Sequence, residues 1–355
     1  MAQQFSLFGD EPASSTTKPE SASPRAARGG EAQVRRYLAS LPADPKLSPP
    51  TRLFGTSSWT YPGWHGKVYR SVEAYGSSQR FTELCLGEYA RDPRFRCAGA
   101  DNMYYVAPST RMKLLGRYRE LLDGLPEPIQ LLPKVWHGIT VSRYSPLQQR
   151  EWRLDSDVNA HFLDAGRFLD AVALPLSEGL GRLLGPLILE LQENDIPTPE
   201  FLRTLDEFLA AVRARWDGKL AVELRTHSHF SPGYLDLLSH HGCSHVLNAW
   251  TRMPGVGWQF EQLKERAGLG WPFFLVRALL RSGVRYEDAS SYAPFDRLIT
   301  RAPEVRADIV RVLREAEAAT PCYVLVNNHL EGHSPATIGE LEHELYDSPL
   351  HSLTM

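Results

Sequence analysis

Charged residues stand where apolar runs stop. Glu223 and Arg225 close "KLAVELR", Lys134 follows "QLLP", Glu190 and Gln192 end "LILELQ", Arg277 ends "FFLVR", and Asp101 follows "RFRCAGA". Burying a lone carboxylate costs several kcal/mol, so each of these groups needs a partner or a chemical task. As a set, the cations Lys134, Arg225 and Arg277 suit the clamping of an anionic or polyhydroxylated ligand. Glu223, Asp101 and Glu190 supply candidate bases, with Glu223 as leading base or ligand group and Lys134 beside it. The competing reading is a structural ion-pair network at a rim.

Other residues extend this set. Asn327, Asn328, His329 and Glu331 follow the last apolar run, and Gly332 permits a tight turn after them. Arg277 with Asn327 and Asn328 is the expected anion site; the alternative is ordinary loop capping by asparagine. Trp59, Tyr61 and Trp64 follow the first run, either as faces that stack on a sugar or base or as packing for a long loop. Twelve histidines raise the question of a divalent metal. His227, His229 and His329 are nearest the carboxylates Asp101, Glu190 and Glu223, a ligand mixture used in hydrolysis and sugar isomerisation. No H-E-x-x-H motif accompanies them.

These residues need a scaffold that brings strand ends together. The strand candidates are "RLFGTSS", "RFRCAGAD", "IQLLPKVW", "GPLILELQ", "KLAVELR", "CSHVLNAW", "PFFLVRAL" and "PCYVLVNN". Helical periods lie between them, as in "TPEFLRTLDEFLAAVRARW", where Phe201, Leu202, Leu205, Phe208, Leu209 and Val212 share a face and Thr198 and Glu200 are capping candidates. That count and alternation predict an α/β fold, a single TIM (β/α)8-type barrel, with a doubly wound sheet as the runner-up. In a barrel the chemistry collects at the C-terminal strand ends, where the charges are.

Composition bounds the rest. With 43% hydrophobic and 23% charged residues the chain can bury a full core, and no apolar run is long enough to span a bilayer. A net charge of -3 gives no general attraction to nucleic acid. Cys85, Cys97, Cys243 and Cys322 form no C-x-x-C pair, which points to buried thiols in a reducing, cytoplasmic setting. Residues 1–50 read as a disordered tail and linker holding one short helix at "EAQVRRYLASLP", and residues 51–355 as the barrel. Within the tail, "QFSLF" resembles the peptides by which bacterial DNA-repair proteins and polymerases dock on the sliding clamp, with Gln4 setting register and Leu7 and Phe8 as apolar anchors. The chain would then be a DNA-maintenance accessory protein with the barrel as a nucleic-acid or partner platform.

Three stretches, "LFGTSSWTYPGWHGKVYR", "AVELRTHSHF" and "VLVNNHLEGHSP", resemble in order and approximate spacing the blocks of the DUF72 (YecE-like) family. The resemblance implies a TIM barrel and assigns no reaction. It also marks two departures: Gly99 and Asp101 stand where the family's second strand carries a Glu before an Asn, and Glu190 stands where a Gln is usual. The expected function is an enzyme, a hydrolase or isomerase, acting on a phosphorylated or sugar-like substrate.

Overall fold

The computed structural model describes residues 24–106, 108–152, 154–266 and 270–346. Gln4, Leu7 and Phe8 of the clamp-like peptide lie outside them. All eight expected strands form: β1 Arg52–Thr56, β2 Cys97–Ala100, β3 Gln130–Pro133, β4 Leu187–Leu191, β5 Leu220–Leu224, β6 Ser244–Ala249, β7 Phe274–Ala278 and β8 Cys322–Val326. They pair in parallel in the order β3-β2-β1-β8-β7-β6-β5-β4. The ends of this sheet meet, because Leu131 bridges Leu184, Lys134 bridges Ile188, and the Val135 N–H donates to the Ile188 carbonyl at 2.9 Å. The fold is therefore a nearly closed (β/α)8 barrel rather than a doubly wound sheet, and its thinnest seam lies between β3 and β4.

Period-two alternation divides each strand between two cores. One set of strand residues, including Phe54, Ala98, Leu131, Leu189, Val222, Leu247, Val276 and Val324, packs outward against the helices. The alternate set, Leu53, Cys97, Leu132, Ile188, Ala221, Val246, Leu275 and Leu325 among them, forms a separate apolar plug inside the barrel. Moving two residues toward the C-terminal end from the plug residues Leu132, Ile188, Ala221 and Leu275 gives Lys134, Glu190, Glu223 and Arg277. The charged layer thus lies directly on the plug.

Several local expectations change. The helix before the barrel, Pro24–Ser40, begins earlier than the expected one and is anchored: Val34 and Leu38 are buried in the outer core, and the Tyr37 hydroxyl donates to Glu88 at 3.0 Å. Docking of one face, rather than local propensity across Gly29 and Gly30, sustains it. Thr198–Arg213 starts at Pro197 without a side-chain cap, and the Thr198 hydroxyl meets His229 Nδ1 at 3.1 Å instead. All four cysteines are free and buried. Among the described residues no helix is long and apolar enough to cross a membrane.

Gly99 explains one departure. A Cβ built there would lie 2.8 Å from the Ser57 carbonyl oxygen and 3.0 Å from its Cα, so the strand-end backbone of β1 occupies the space of a side chain. Gly99→Ala is expected to destabilise the fold by about 1–3 kcal/mol, the usual cost of overpacking. Urea unfolding of both proteins checks this, and equal midpoints would mean that the β1 end yields freely.

Candidate functional site

Register creates an electrostatic problem that the barrel interior must solve. Glu190 on β4 lies directly opposite Glu223 on β5, and both point onto the plug with almost no exposure. Like charges placed this way repel. Arg277 answers from β7. Its Nη1 donates to Glu223 Oε2 at 2.6 Å and to Glu190 Oε2 at 3.1 Å, while Nη2 donates to Asp101 Oδ2 at 2.7 Å. Lys134 Nζ lies 2.8 Å from the same Glu190 oxygen, and Arg225 Nη2 donates to it as well. Gln192 Nε2 takes the other Glu190 oxygen at 2.7 Å. Arg225 Nε and Glu223 Oε1 are 3.3 Å apart, within ion-pair range but out of line for a hydrogen bond.

Protonation follows from this geometry. Burial alone would raise the Glu190 carboxyl, but Arg225, Lys134 and Arg277 outweigh it and hold the group far below the usual carboxylate range. Burial likewise opposes the charge on Arg277, and Asp101, Glu223 and Glu190 more than restore it, so its guanidinium is held above its ordinary value. Burial pushes the His329 imidazole down to about 4, which leaves it neutral at physiological pH.

Above this layer opens a cavity of about 680 Å³. Lys134, Glu190, Arg225, Arg277 and Asp101 form its floor, and Tyr104, Tyr105, Trp250, Tyr286 and His329 its walls. Two rings brace the floor: Lys134 Nζ is 4.4 Å from the Tyr104 ring centroid, and the Arg225 guanidinium carbon is 4.5 Å from that of Trp250. Four polar atoms of floor residues are buried without a hydrogen bond: the donors Arg225 Nη1, Arg225 Nε and Arg277 Nε and the acceptor Asp101 Oδ1, of which Arg225 Nε lies in ion-pair range of Glu223. With Glu223 beneath it, the layer sets three cations against three carboxylates, and it presents open donors and one open carboxylate oxygen.

This architecture and this chain have relatives. A family described as "Protein of unknown function DUF72" matches residues 53–353. The chain belongs to the DUF72 family. Its barrel is similar to that of a DUF72 family protein from Enterococcus faecalis V583, at 15% identity and a TM-score of 0.52, covering 84% of this chain and 98% of that one. A DUF72 family protein from Thermotoga maritima MSB8 is similar at 18% identity and a TM-score of 0.50, covering 84% and 100%. Among curated proteins none matches.

Within this DUF72 barrel the candidate residues divide. Asp101, Lys134, Glu190, Arg225, Arg277 and Asn327 all line the mouth cavity. Glu223 does not line it: it is fully buried beneath, paired to Arg277, and so holds that guanidinium in place. Glu331 lies elsewhere, accepting from Arg306 Nε at 2.8 Å, the Ala302 N–H at 2.6 Å and the Thr337 hydroxyl at 2.8 Å, where it ties two helices to the final loop. Asn328 faces the same way and accepts from the Ser334 N–H and hydroxyl. Asn327 caps the short helix Asn328–Glu331 and accepts from the His329 N–H at 3.0 Å, so the capping reading holds there. The expected anion site of Arg277, Asn327 and Asn328 is not assembled, because Arg277 is committed to three carboxylates.

The aromatic and histidine expectations also shift. The ring of Trp64 is buried against Tyr61, Tyr69 and Tyr89, and that of Trp59 against Tyr118 and Tyr89, so neither offers a free stacking face. Tyr61 packs on Trp64 and Phe295. His229 stacks on Phe201 with ring centroids 4.1 Å apart, and His227 is exposed. Among the described residues no group of three or more His, Cys, Asp or Glu side chains is placed to hold a metal ion. Trp250 was missed by sequence reasoning although it stands two residues beyond Asn248, in the same inward period that exposed Glu223 and Arg225.

Glu190 generates a pH prediction. Its native value lies below the unfolded one of about 4.3, so its stabilisation is complete above that pH and is lost as pH falls below it. Glu190→Gln is expected to be less stable by about 3–5 kcal/mol near neutrality, since three buried cations lose their shared partner. The difference from the parent should shrink between pH 5 and the acid limit; urea unfolding across roughly pH 3–7 measures it. A difference that stays constant with pH would show that Glu190 is not ionised in the native state.

Proposed function

We propose that the mouth cavity binds a neutral, polyhydroxylated, sugar-like ligand and performs acid–base chemistry on it through Asp101. The observation that carries this reading is the charge-balanced cavity lining with its open Arg225 Nη1 donor and open Asp101 Oδ1 acceptor. A hydroxyl group donates and accepts at once, which this pair requires. Aromatic walls from Tyr104, Tyr105, Trp250 and Tyr286 supply the apolar surface that a sugar's C–H faces need.

The roles follow by elimination among the carboxylates. Glu190 has both oxygens occupied, Glu223 does not reach the cavity, and Glu193 and Asp195 are exposed and paired with Arg252 and Arg143. Asp101 keeps Oδ2 on Arg277 and leaves Oδ1 open, the arrangement of an oriented base. Lys134 and Arg225 act as positioning and binding groups. A phosphorylated ligand has less support, because lining cations Lys134, Arg143, Arg225 and Arg277 are matched by Asp101, Glu190, Glu193 and Asp195.

Thermal unfolding with D-xylose, D-glucose, L-arabinose, D-galactose, D-lyxose, D-mannose and inorganic phosphate tests the reading. A ligand present at about ten times its dissociation constant adds about 1.4 kcal/mol, a shift of about 2–4 °C. At least one aldose should produce that shift and phosphate should not, and Asp101→Ala should abolish it. Stabilisation by phosphate alone, or by none of the sugars, would overturn the proposal.

A further inference from the structure

Behind the mouth cavity lies a smaller one of about 100 Å³ that shares Asp101, Tyr105 and Asn327 with it. Its lining includes Ser57, Trp59 and Asn102. Ser57 and Trp59 are 2% and 3% exposed, yet Ser57 Oγ and Trp59 Nε1 have no hydrogen-bond partner, and neither do Asn102 Oδ1 and Asp101 Oδ1. Buried polar atoms left unsatisfied are costly. Two donors and two acceptors left open around one small cavity are a recognition surface in need of a hydroxyl-bearing occupant.

The surrounding structure holds these atoms rigidly. The Trp59 ring is set edge-on to Tyr118 with centroids 5.3 Å apart, and its carbonyl accepts from the Tyr69 hydroxyl. Asn102 is fixed by donating Nδ2 to the Tyr118 hydroxyl at 2.8 Å, which turns its oxygen away from that partner. Size limits the occupant: about 30 Å³ per water-sized group leaves room for about three such groups, too few for a second sugar ring.

We infer that this annex is a second subsite for the ligand of the mouth cavity, taking a neutral hydroxymethyl arm. The Trp59 N–H and the Ser57 hydroxyl donate to the arm's oxygen, and Asp101 or Asn102 accepts its proton. Asp101 then touches both parts of the ligand and stands at their junction. The inference rests on the proposed sugar-like ligand and adds which part of it is recognised and by which atoms.

Homomorphous sugar pairs test it: D-xylose with D-glucose, L-arabinose with D-galactose, and D-lyxose with D-mannose differ only by the hydroxymethyl arm. Affinities of the full chain are measured by calorimetry. For the pair that binds, the hexose should be tighter by at least about tenfold, as expected when buried polar groups lose a matching hydroxyl. Trp59→Phe and, with less change in packing, Ser57→Ala should each lower hexose affinity toward that of the pentose while leaving pentose affinity unchanged. Equal affinities within the pair, or a hexose advantage that survives both substitutions, would overturn the subsite and leave the mouth-cavity reading intact. Failure of every sugar to bind would remove both.

Discussion

The Arg277 guanidinium is the contact on which the interior of the barrel depends. It reaches from β7 to carboxylates carried by β4, β5 and the segment after β2, so one side chain ties elements on opposite sides of the barrel. Without it, Glu190 and Glu223 would face each other in register at the top of an apolar plug. Desolvating so many charges is costly, and replacing a buried ion network with apolar side chains often stabilises a protein. Apolar replacements in this layer would close the cavity floor, however. The energetic argument therefore favours a layer retained for what it presents to the mouth.

Glu190 performs a second task at the thinnest seam. Between β3 and β4 the backbone ladder is reduced to isolated bridges, and the Lys134–Glu190 ion pair crosses that gap. The same ion pair thus belongs both to the closing seam of the barrel and to the cavity floor. That coupling also preorganises the site: the floor donors are fixed by pairing before a ligand arrives, which lowers the ordering cost of binding. Tyr104 and Trp250 contribute by covering Lys134 and Arg225 on the cavity side, keeping both charges partly shielded from water.

The barrel was legible because its strands are apolar runs of similar length broken by turn residues, and all eight formed where those runs stand. The floor was legible for the same reason, since a charge inside an apolar run has few places to go. What sequence alone left hidden was direction and depth. Glu223 reads as a mouth residue, but alternation puts it below the cavity, while Arg225, two residues on, reaches it. Asn328 and Glu331 follow the last strand as Asn327 does, yet the short helix that Asn327 caps turns them to the opposite side. Loop geometry of that kind depends on distant partners such as Arg306, which no local pattern reveals. Trp250 could have been found by extending the inward period of β6 past Asn248.

The two departures from the family pattern can be read together. The resemblance places a Glu at the position of Gly99, an Asn at that of Asp101 and a Gln at that of Glu190, so this chain lacks one carboxylate and carries two others. Three cations, Lys134, Arg225 and Arg277, remain in the layer, balanced by Asp101, Glu190 and Glu223. Losing a carboxylate from β2 without gaining one elsewhere would leave a buried cation uncompensated, a cost of several kcal/mol. Asp101 and Glu190 supply carboxylates from beyond β2 and from β4, and Gly99 leaves room for the Ser57 backbone at the end of β1. The layer of this chain is thus balanced by its own set of carboxylates, three of them against three cations. Of these carboxylates Asp101, itself one of the departures, is the one in the cavity with an open oxygen.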